Sequence, residues 1–417
     1  MKESRNLEFK EMIQSNTFLK TVSAFANYGT GRIIFGIDDD GMINGIKNAI
    51  DFCLSIENKM NDNMNPVPLY DLNINDDSTI TLTVYESDFK PYLYKGKAYK
   101  RHDTSTIEVD RLELNRLILE ESHQSYDELV SQKQDLTFNC LEKALKDKLA
   151  IQELNEDILK ILDLYTKKHQ YNNAAALLAD QNDYKGVDMI RFGQDIDEIM
   201  DRVTLENKSI LLLLEESVEM YKKYYQYEKI DGTSRKIVTR IPENAFREAI
   251  ANAIIHRFWD IDAFIMVSMF DDRIEIRSPG GLPSGMSESE YLDGQISMLR
   301  NPIIGNVFYR LRYIEMFGTG IKRINKSYNN SLTKPQFKVY ENSITIILPT
   351  VLDVTNLTSE EQQIIQIFHG NLKLSRAEIE KQSHYNKAKL IRILNSLSNK
   401  NIIDKSGKGR AVKYQLR

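Results

Sequence analysis

The sequence predicts a multidomain protein of the α+β class. At 417 residues it exceeds the usual size of a single hydrophobic core, so several domains are expected. Runs that alternate in hydrophobicity, as strands do, stand beside runs with apolar residues at helical spacing. The C-terminal segment changes character, with helices that begin at capping signals. We place the domains at residues 1–121, 122–205 (a helical connecting region), 206–350 and 357–417.

The composition is that of a soluble globular protein, with 41% hydrophobic and 28% charged residues. Because the net charge is −5, any surface that binds nucleic acid must be local. Two cysteines, Cys53 and Cys140, form neither a disulfide framework nor a zinc site. No run approaches the ~20 apolar residues of a membrane span, and the N-terminus is unlike a signal peptide. We therefore expect a cytoplasmic protein with no membrane partner.

The N-terminal module begins with a predicted strand, Leu7 to Lys10. In a strand Leu7 and Phe9 point inward, while Glu8 and Lys10 share the other, exposed face. A helix over 18–27 follows, and then a strand over 32–38 that ends in three aspartates and a glycine. Taken singly, these acidic residues also fit a turn and a solvated terminus.

Three separated blocks of this module resemble the Schlafen AlbA domain. They are Glu-Ser-x-x-x-Glu-Phe-Lys from Glu3, Val-Ser-Ala-Phe-Ala-Asn from Val22, and Gly-Ile-Asp-Asp from Gly36. The resemblance implies a metal-dependent acidic cluster in which Glu3, Glu8 and Asp39 hold Mg²⁺ or Mn²⁺ beside Lys10. Such a cluster would stabilise the charge that develops during RNA cleavage. The same blocks occur in bacterial relatives regarded as regulators, so the resemblance supports the fold more than the cleavage.

A basic segment of the same module interleaves lysines and arginine with tyrosines over residues 90–102. Basic groups contact phosphates and aromatic rings stack on bases, which predicts a nucleic-acid surface. The alternative is a basic hairpin whose tyrosines serve as strand formers. The candidate contact residues are Lys95, Lys97, Tyr99, Lys100 and Arg101.

The middle of the chain carries no catalytic motif. A helix over 110–124 closes the first module, and a polar linker leads to a helical region over about 141–179. The stretch 191–220 then predicts a long helix with an apolar face, which would cover a sheet of the next domain. A short strand is expected over 236–240.

The helix predicted from Pro242 to His256 organises the third domain. Glu248, Asn252 and His256 recur at every fourth position and so lie on one face of a helix that is otherwise apolar. Because buried polar groups need partners, this face either binds a ligand or forms an internal hydrogen-bond network.

Three glycine-containing or capping signals follow this helix. A hairpin over 263–277 leads into a loop from Ser278 that contains Gly280 and Gly281. Asn301 is expected to cap a helix that opens with Pro302. Finally, a glycine turn starts another helix, whose free N–H groups form an anion site. That turn consists of Gly318, Thr319 and Gly320.

This order of motifs resembles the GHKL ATPases of the gyrase, Hsp90 and histidine-kinase type. It is most similar to the divergent form found in bacterial proteins that also carry a Schlafen-type AlbA domain. The resemblance implies that Asn252 holds Mg²⁺ with ATP and that Glu248 orients or deprotonates the attacking water, with His256 in the same site. It also implies that Gly280 and Gly281 line the adenine pocket and that the Gly318–Gly320 turn binds phosphate. Ser278 stands where the family has an aspartate that binds the adenine amine.

The C-terminal segment predicts a winged helix-turn-helix. Capping boxes at Thr358 and Ser375 open two helices, a third covers 387–397, and a glycine-tipped basic hairpin follows. Residues 381–417 contain ten Lys and Arg against one acidic residue, which favours DNA contact. A protein-contact module is the alternative. The candidate DNA contacts are Lys387, Lys389, Arg392, Lys408, Arg410 and Lys413.

Together these features predict an ATP-gated, nucleic-acid-binding transcriptional regulator, with DNA bound by the winged helix and RNA as a further partner of the N-terminal module. A homodimer or higher homo-oligomer is expected. The alternative is a metal-dependent endonuclease for tRNA-type RNA, acting as a toxin or in anti-phage defence. A histidine kinase is a third hypothesis, although the sequence has no recognisable phosphoacceptor helix.

Overall fold

The computed structural model describes all residues except 1, 14, 39, 88, 123, 194, 232–233, 284–285, 295–297, 316–317, 352–356, 369–372, 401, 408–411 and 417. The chain forms two compact units, Met1–Tyr126 and Asp127–Arg417. Both combine helices with sheets, which confirms the predicted α+β multidomain class.

The first unit is built on a four-stranded sheet in the order β1-β2-β5-β4, in which β1 and β2 are parallel. Helix α1 packs against this sheet through Phe18, Val22 and Phe25. The strands are β1 (Leu7–Lys10), β2 (Gly31–Phe35), β3 (Met64–Asn65), β4 (Tyr70–Ile74), β5 (Ile80–Val84), β6 (Leu93–Tyr94), β7 (Tyr99–His102) and β8 (Ser105–Glu108). The helices are α1 (Phe18–Tyr28), α2 (Ala49–Asn63) and α3 (Arg111–Glu121).

Strand β1 departs from the prediction because it is buried on both faces. Phe9 points into the core as expected, but Glu8 is also buried, with 6% of its surface exposed. Arg101 of β7 and Thr21 of α1 both contact the Glu8 carboxylate, so the second face is covered by partners that the sequence does not place beside it.

The second unit contains a six-stranded sheet in the order β10-β9-β13-β14-β16-β15. Strands β9 and β13 are parallel and the other neighbours are antiparallel. The strands are β9 (Gln181–Phe192), β10 (Ile199–Lys208), β11 (Gln226–Asp231), β12 (Ser234–Thr239), β13 (Ile265–Met269), β14 (Arg273–Pro279), β15 (Gln336–Tyr340), β16 (Ser343–Pro349), β17 (Leu374–Ser375), β18 (Ile403–Ser406) and β19 (Lys413–Leu416).

Three helices of this unit position the candidate site. Helix α8 contacts β14 of the sheet, and α7 and α11 pack against α8. The helices are α4 (Asn139–Leu149), α5 (Glu156–Ile161), α6 (Asn173–Leu178), α7 (Ile210–Tyr225), α8 (Glu243–His256), α9 (Glu288–Asp293), α10 (Pro302–Arg310), α11 (Gly320–Ser327), α12 (Ser359–Ile367), α13 (Arg376–Ser383) and α14 (Lys387–Asn399).

Residues 181–208 do not belong to a helical connecting region, because they form β9 and β10 of the sheet. The predicted long helix over 191–220 is correspondingly wrong in its first half: α7 begins only at Ile210, after Ser209, whose hydroxyl accepts from the N–H of Leu211. At Gly186 a Cβ would lie 2.5 Å from the carbonyl oxygen of Leu205, so glycine allows β9 and β10 to approach closely there.

The C-terminal elements follow the predicted boundaries. Both capping boxes are present, at Thr358 with Glu361 and at Ser375 with Glu378. Helices α12, α13 and α14 enclose one apolar core, and β17, β19 and β18 form a three-stranded sheet beside it. The predicted basic tip, with Lys408 and Arg410, lies outside the described residues. Among the helices that the structure describes, none combines the length and apolar character needed to cross a membrane.

Candidate functional site

The three polar residues predicted on one face of α8 line a single pocket of the second unit. Glu248, Asn252 and His256 all reach this pocket from successive turns of the helix. The helix begins at Glu243, so Pro242 is the capping residue rather than the first helical residue.

Strands β14 and β16, the loop after β14 and the turn before α11 supply other parts of the pocket lining. Strands β14 and β16 contribute an apolar wall that includes Ile276, Ile344 and Ile346. The remaining residues predicted to bind nucleotide are also in the lining: Ser278, Gly280, Gly281, Gly318, Thr319 and Gly320. All nine predicted nucleotide-site residues are therefore brought together, although they come from segments up to about seventy residues apart.

The start of α11 lies directly against the polar face of α8. A Cβ added to Gly320 would meet Glu248 Oε1 at 2.6 Å and Asn252 Nδ2 at 2.7 Å, closer than side chains tolerate. Asn252 Nδ2 donates to Glu248 Oε1 at 3.5 Å. Glycine at position 320 therefore lets the N–H groups at the start of α11 and the two polar side chains of α8 face the same space.

The protonation of Glu248 and His256 is shifted by the pocket. Burial raises the pKa of the Glu248 carboxyl, and the positive charge of Arg323 opposes this effect. Burial and the nearby Arg300 cation lower the pKa of His256 to about 4, so this imidazole is neutral at pH 7. Glu248 is accordingly a better proton acceptor than an exposed carboxylate, and His256 offers hydrogen bonds without charge.

Arg300 also lines the pocket, although its place in the sequence, directly before the predicted cap Asn301, does not mark it as a site residue. Its Nη1 donates to the carbonyl oxygen of His256 at 2.5 Å, and its Nη2 donates to that of Gly281 at 2.8 Å. The guanidinium also stacks on Phe258, 3.9 Å from the ring centroid. Gly280, with a φ of 107°, accommodates this arrangement because a Cβ there would meet Phe258 and Arg300. Arg300 thus ties the end of α8 to the glycine loop.

Asn301 occupies the cap position of α10, but its side chain does not cap the helix. The buried Asp127 does so instead, because its Oδ2 accepts from the N–H groups of Ile303 at 2.9 Å and Ile304 at 3.0 Å. Asn301 Nδ2 donates to the carbonyl oxygens of Ile255 and Arg257 at the end of α8. The capping partner lies about 175 residues away in sequence, so no local signal indicates it.

Ser278 forms a hydrogen bond to α8. It stands at the position where the GHKL ATPases, which this region resembles, have an aspartate. Its hydroxyl donates to the carbonyl oxygen of Ala253 at 3.0 Å. The serine therefore fastens β14 to α8 while lining the pocket.

The carboxylate of Glu8 in the first unit is surrounded by cations and a hydroxyl. Its Oε2 lies 2.5 Å from Arg101 Nη1 and accepts from the Thr21 hydroxyl at 2.8 Å, while its Oε1 lies 2.8 Å from Lys10 Nζ. Arg101 is itself buried, with 5% of its surface exposed. The expectation of an exposed Glu8 is therefore wrong, because the residue belongs to a buried ion-pair network.

The other two members of the predicted acidic cluster have different surroundings. Glu3 Oε1 accepts from the N–H of Phe9 at 2.8 Å, which links the N-terminus to β1. Asp39 lies outside the described residues. Its neighbour Asp38 accepts from the N–H groups of Asp40 and Met42, as a turn-forming aspartate does. Within the described part of the chain, no three His, Cys, Asp or Glu side chains are grouped as metal ligands.

Most candidate contact residues in the basic segment of the first unit are buried or form ion pairs within that unit. Tyr99 is buried in the core together with Tyr92 and Tyr94, which favours the strand-former interpretation over base stacking. Lys97 and Lys100 form ion pairs with Glu108 and Glu113, each at 2.8 Å. Lys95, at the tip of the turn, has its Nζ 5.4 Å from the Tyr94 ring centroid, and Arg101 binds Glu8 as described.

The basic residues of the C-terminal elements differ in their partners. Lys389 pairs with Glu360 at 2.7 Å, and Arg392 approaches the same carboxylate at 3.9 Å with 78% of its side chain exposed. Lys387, at the start of α14, and Lys413, on β19, are exposed. Exposed cations thus lie on α14, the third helix of this module, and on one strand of the adjoining sheet.

Two family models match parts of the sequence. Residues 3–110 match the Schlafen AlbA_2 domain, and residues 262–348 match HATPase_c_4, described as "Putative ATP-dependent DNA helicase recG C-terminal". The chain thus combines a Schlafen AlbA_2 domain with an ATPase-like domain, which together indicate ATP binding and a nucleic-acid-related function. The second match covers Ser278, the two loop glycines and the Gly318–Gly320 turn, whereas α8 precedes it.

Among solved structures, the chain is similar to the DIP2311 protein from Corynebacterium diphtheriae. The similarity extends over 99% of this chain and 92% of that one, with 19% sequence identity and a TM-score of 0.50. It supports the fold alone. No curated protein matches the sequence.

Proposed function

We propose that this protein is an ATP-gated regulator that binds DNA. The observation that carries the proposal is the convergence of Glu248, Asn252 and the Gly318–Gly320 turn on one pocket of an ATPase-like domain. The lining combines polar groups of α8 and the Gly318–Gly320 turn with apolar residues of β14 and β16, as expected for a ligand with a charged end and a planar base.

The residues present fit a nucleotide with Mg²⁺. The N-terminus of α11, where Gly320 allows Glu248 and Asn252 to approach the backbone closely, offers backbone N–H groups to phosphate. The Asn252 side-chain oxygen is a ligand type that Mg²⁺ accepts. When bound, Mg²⁺ would neutralise phosphate charge. Glu248, whose pKa is raised by burial, would accept a proton from water held beside it.

We assign DNA binding to a winged helix formed by residues 357–417. The support is three helices around one core, a three-stranded sheet, and exposed cations on the third helix. Lys387 and Arg392 are the contacts we favour within the described residues. Lys408 and Arg410 would extend the basic surface from the hairpin tip.

The double variant Lys387→Ala/Arg392→Ala is expected to weaken binding to duplex DNA. Each lost phosphate contact lowers the slope of log affinity against log salt by about 0.9, so the pair should lower it by about 1.8. Fluorescence anisotropy across a salt series measures this slope. Lys338→Ala, which removes an exposed lysine from β15, is the matched control and should leave the slope unchanged. An unchanged slope in the double variant would instead indicate a protein-contact module.

A chain of contacts leads from the Gly318–Gly320 turn to the C-terminal module, residues 357–417. Helix α11 (Gly320–Ser327) is followed by the buried Tyr328, whose hydroxyl donates to the carbonyl oxygen of Pro349 at 2.7 Å. The following loop is tied to the same strand end, because the Thr333 hydroxyl donates to the Thr350 carbonyl oxygen at 2.7 Å. From this loop Leu332 packs into the C-terminal core. A shift of α11 on nucleotide binding would therefore reach that core directly.

Gating predicts that ATP with Mg²⁺ changes the DNA affinity of the wild type by about 5-fold or more, a typical coupling between two sites. Leu332→Ala is expected to reduce this ratio toward one while leaving ATP affinity unchanged. Leu357→Ala removes the same atoms from the same core but not from the loop after α11, so it should retain the coupling. Anisotropy titrations with and without ATP measure all three proteins. Equal DNA affinity of the wild type in both conditions would contradict gating.

The competing function is metal-dependent RNA cleavage by the first unit. It requires the Glu8 carboxylate as a metal ligand, and both of its oxygens are occupied by Lys10, Arg101 and Thr21. This engagement is the reason we favour the regulator.

A further inference from the structure

A hairpin formed by β11 and β12 carries an unusual number of exposed apolar residues. Tyr227, Ile230 and Ile237 are 50%, 73% and 72% exposed. The two strands form a sheet of their own, and no other described strand pairs with the outer edge of either. A two-stranded hairpin is marginally stable in water, and open edges of this kind readily pair with another strand.

The charges of the hairpin favour a protein partner over nucleic acid. Glu228 pairs with Arg235 across the two strands at 3.3 Å, so this arginine already has a carboxylate beside it. Residues 226–239 contain three Lys and Arg against two acidic residues, too small an excess for a phosphate-binding surface. Exposed apolar side chains such as those of Tyr227, Ile230 and Ile237 are typical of contacts between proteins.

We propose that the partner is a second copy of this chain, joined edge to edge through antiparallel pairing of the two β12 strands. In a two-fold pairing centred on Ile237, residues 235–239 of both copies are in register. Ile237 then faces its own counterpart, and Arg235 faces Thr239 of the other copy. Like charges are not directly opposed anywhere in this register, and the result is a four-stranded sheet in the order β11-β12-β12-β11.

Pairing through the other edge is less favourable. A two-fold axis at Glu228 or Lys229 of β11 sets a like-charged pair at the centre, which is destabilising. An axis at Ile230 leaves only residues 229–231 in register before the turn. The β12 edge therefore offers the longer self-complementary stretch.

The hairpin lies at the end of the second unit away from the nucleotide pocket. At its base, Arg240 Nη2 donates to the carbonyl oxygen of Asp271, in the turn before β14. Ser278 and Gly280, at the other end of β14, line the pocket. Pairing of hairpins thus leaves the pocket open, and the inference does not depend on nucleotide binding.

Cysteine cross-linking tests this arrangement in the full chain carrying Cys53→Ser and Cys140→Ser. Opposed residues of paired strands are within the ~4.4–6.8 Å Cα separation that a disulfide needs. Ile237→Cys should therefore form a disulfide-linked dimer on mild oxidation. Ile230→Cys, equally exposed but on the outer strand, would be at least three strand spacings, or about 14 Å, from its counterpart and should remain uncross-linked.

Analytical ultracentrifugation gives an independent measurement of the oligomeric state. The wild type should be a dimer at micromolar concentration, Ile237→Lys a monomer with an unchanged circular dichroism spectrum, and Ile230→Lys a dimer. A monomeric wild type, or cross-linking of Ile230→Cys rather than Ile237→Cys, would overturn the proposed pairing. Loss of DNA binding by Ile237→Lys without a change in oligomeric state would also overturn it and assign the hairpin to nucleic acid.

Discussion

Asn252→Ala is expected to lower the affinity for ATP in the presence of Mg²⁺ by about 10- to 100-fold, the usual cost of disturbing a metal site. The reason is that Asn252 lies beside Glu248 and against the start of α11, where phosphate and metal would meet. Alanine has the highest helix propensity, so α8 should remain intact. Isothermal titration calorimetry with ATP measures this affinity, once in the presence of Mg²⁺ and once with EDTA in its place.

The matched control is Asn244→Ala, the same substitution at an exposed position of the same helix. It should bind ATP as the wild type does. Glu248→Gln should also retain binding and lose hydrolysis, because it removes the proton acceptor while preserving size. Equal affinities of the wild type and Asn252→Ala with Mg²⁺ would show that the pocket does not hold a metal-bound nucleotide through this residue.

Glu8→Ala is expected to destabilise the first unit by about 3–5 kcal/mol, the typical cost of breaking a buried ion pair. The substitution leaves Arg101 buried without the carboxylate that it contacts, and removes the acceptor of the Thr21 hydroxyl. Chemical denaturation, with hydrogen exchange of residues 1–126 as a local readout, measures the loss.

Two further variants test whether the loss of stability in Glu8→Ala comes from the unpaired buried charge of Arg101. Glu8→Met/Arg101→Met replaces the pair with apolar side chains and should recover most of the stability. Glu3→Ala removes an exposed carboxylate with one backbone hydrogen bond and should cost only about 1 kcal/mol. If Glu8→Ala kept wild-type stability but lost Mn²⁺-dependent RNA cleavage, the structural role of Glu8 would be contradicted and the nuclease function favoured.

Several features of the candidate site were predictable because their signals are local. Glu248, Asn252 and His256 share one helix face through their spacing alone, and glycines at 280, 281, 318 and 320 mark turns that only small residues accommodate. The capping boxes that open α12 and α13 are likewise encoded within four residues each. Local periodicity and turn chemistry act over a few residues, so they can be read along the chain.

Other features were decided by contacts between distant segments. Asp127 replaces Asn301 as the cap of α10, and Arg101 covers the face of β1 that alternation alone would expose at Glu8. Strands β9 and β10 join the sheet although their sequence was interpreted as part of a helical region. By itself the sequence determined the helix face, the glycine turns and the capping boxes of α12 and α13, because each depends on neighbours along the chain. Only the tertiary structure decided which buried charges are paired and which strands share a sheet, since those choices depend on partners tens to more than a hundred residues away.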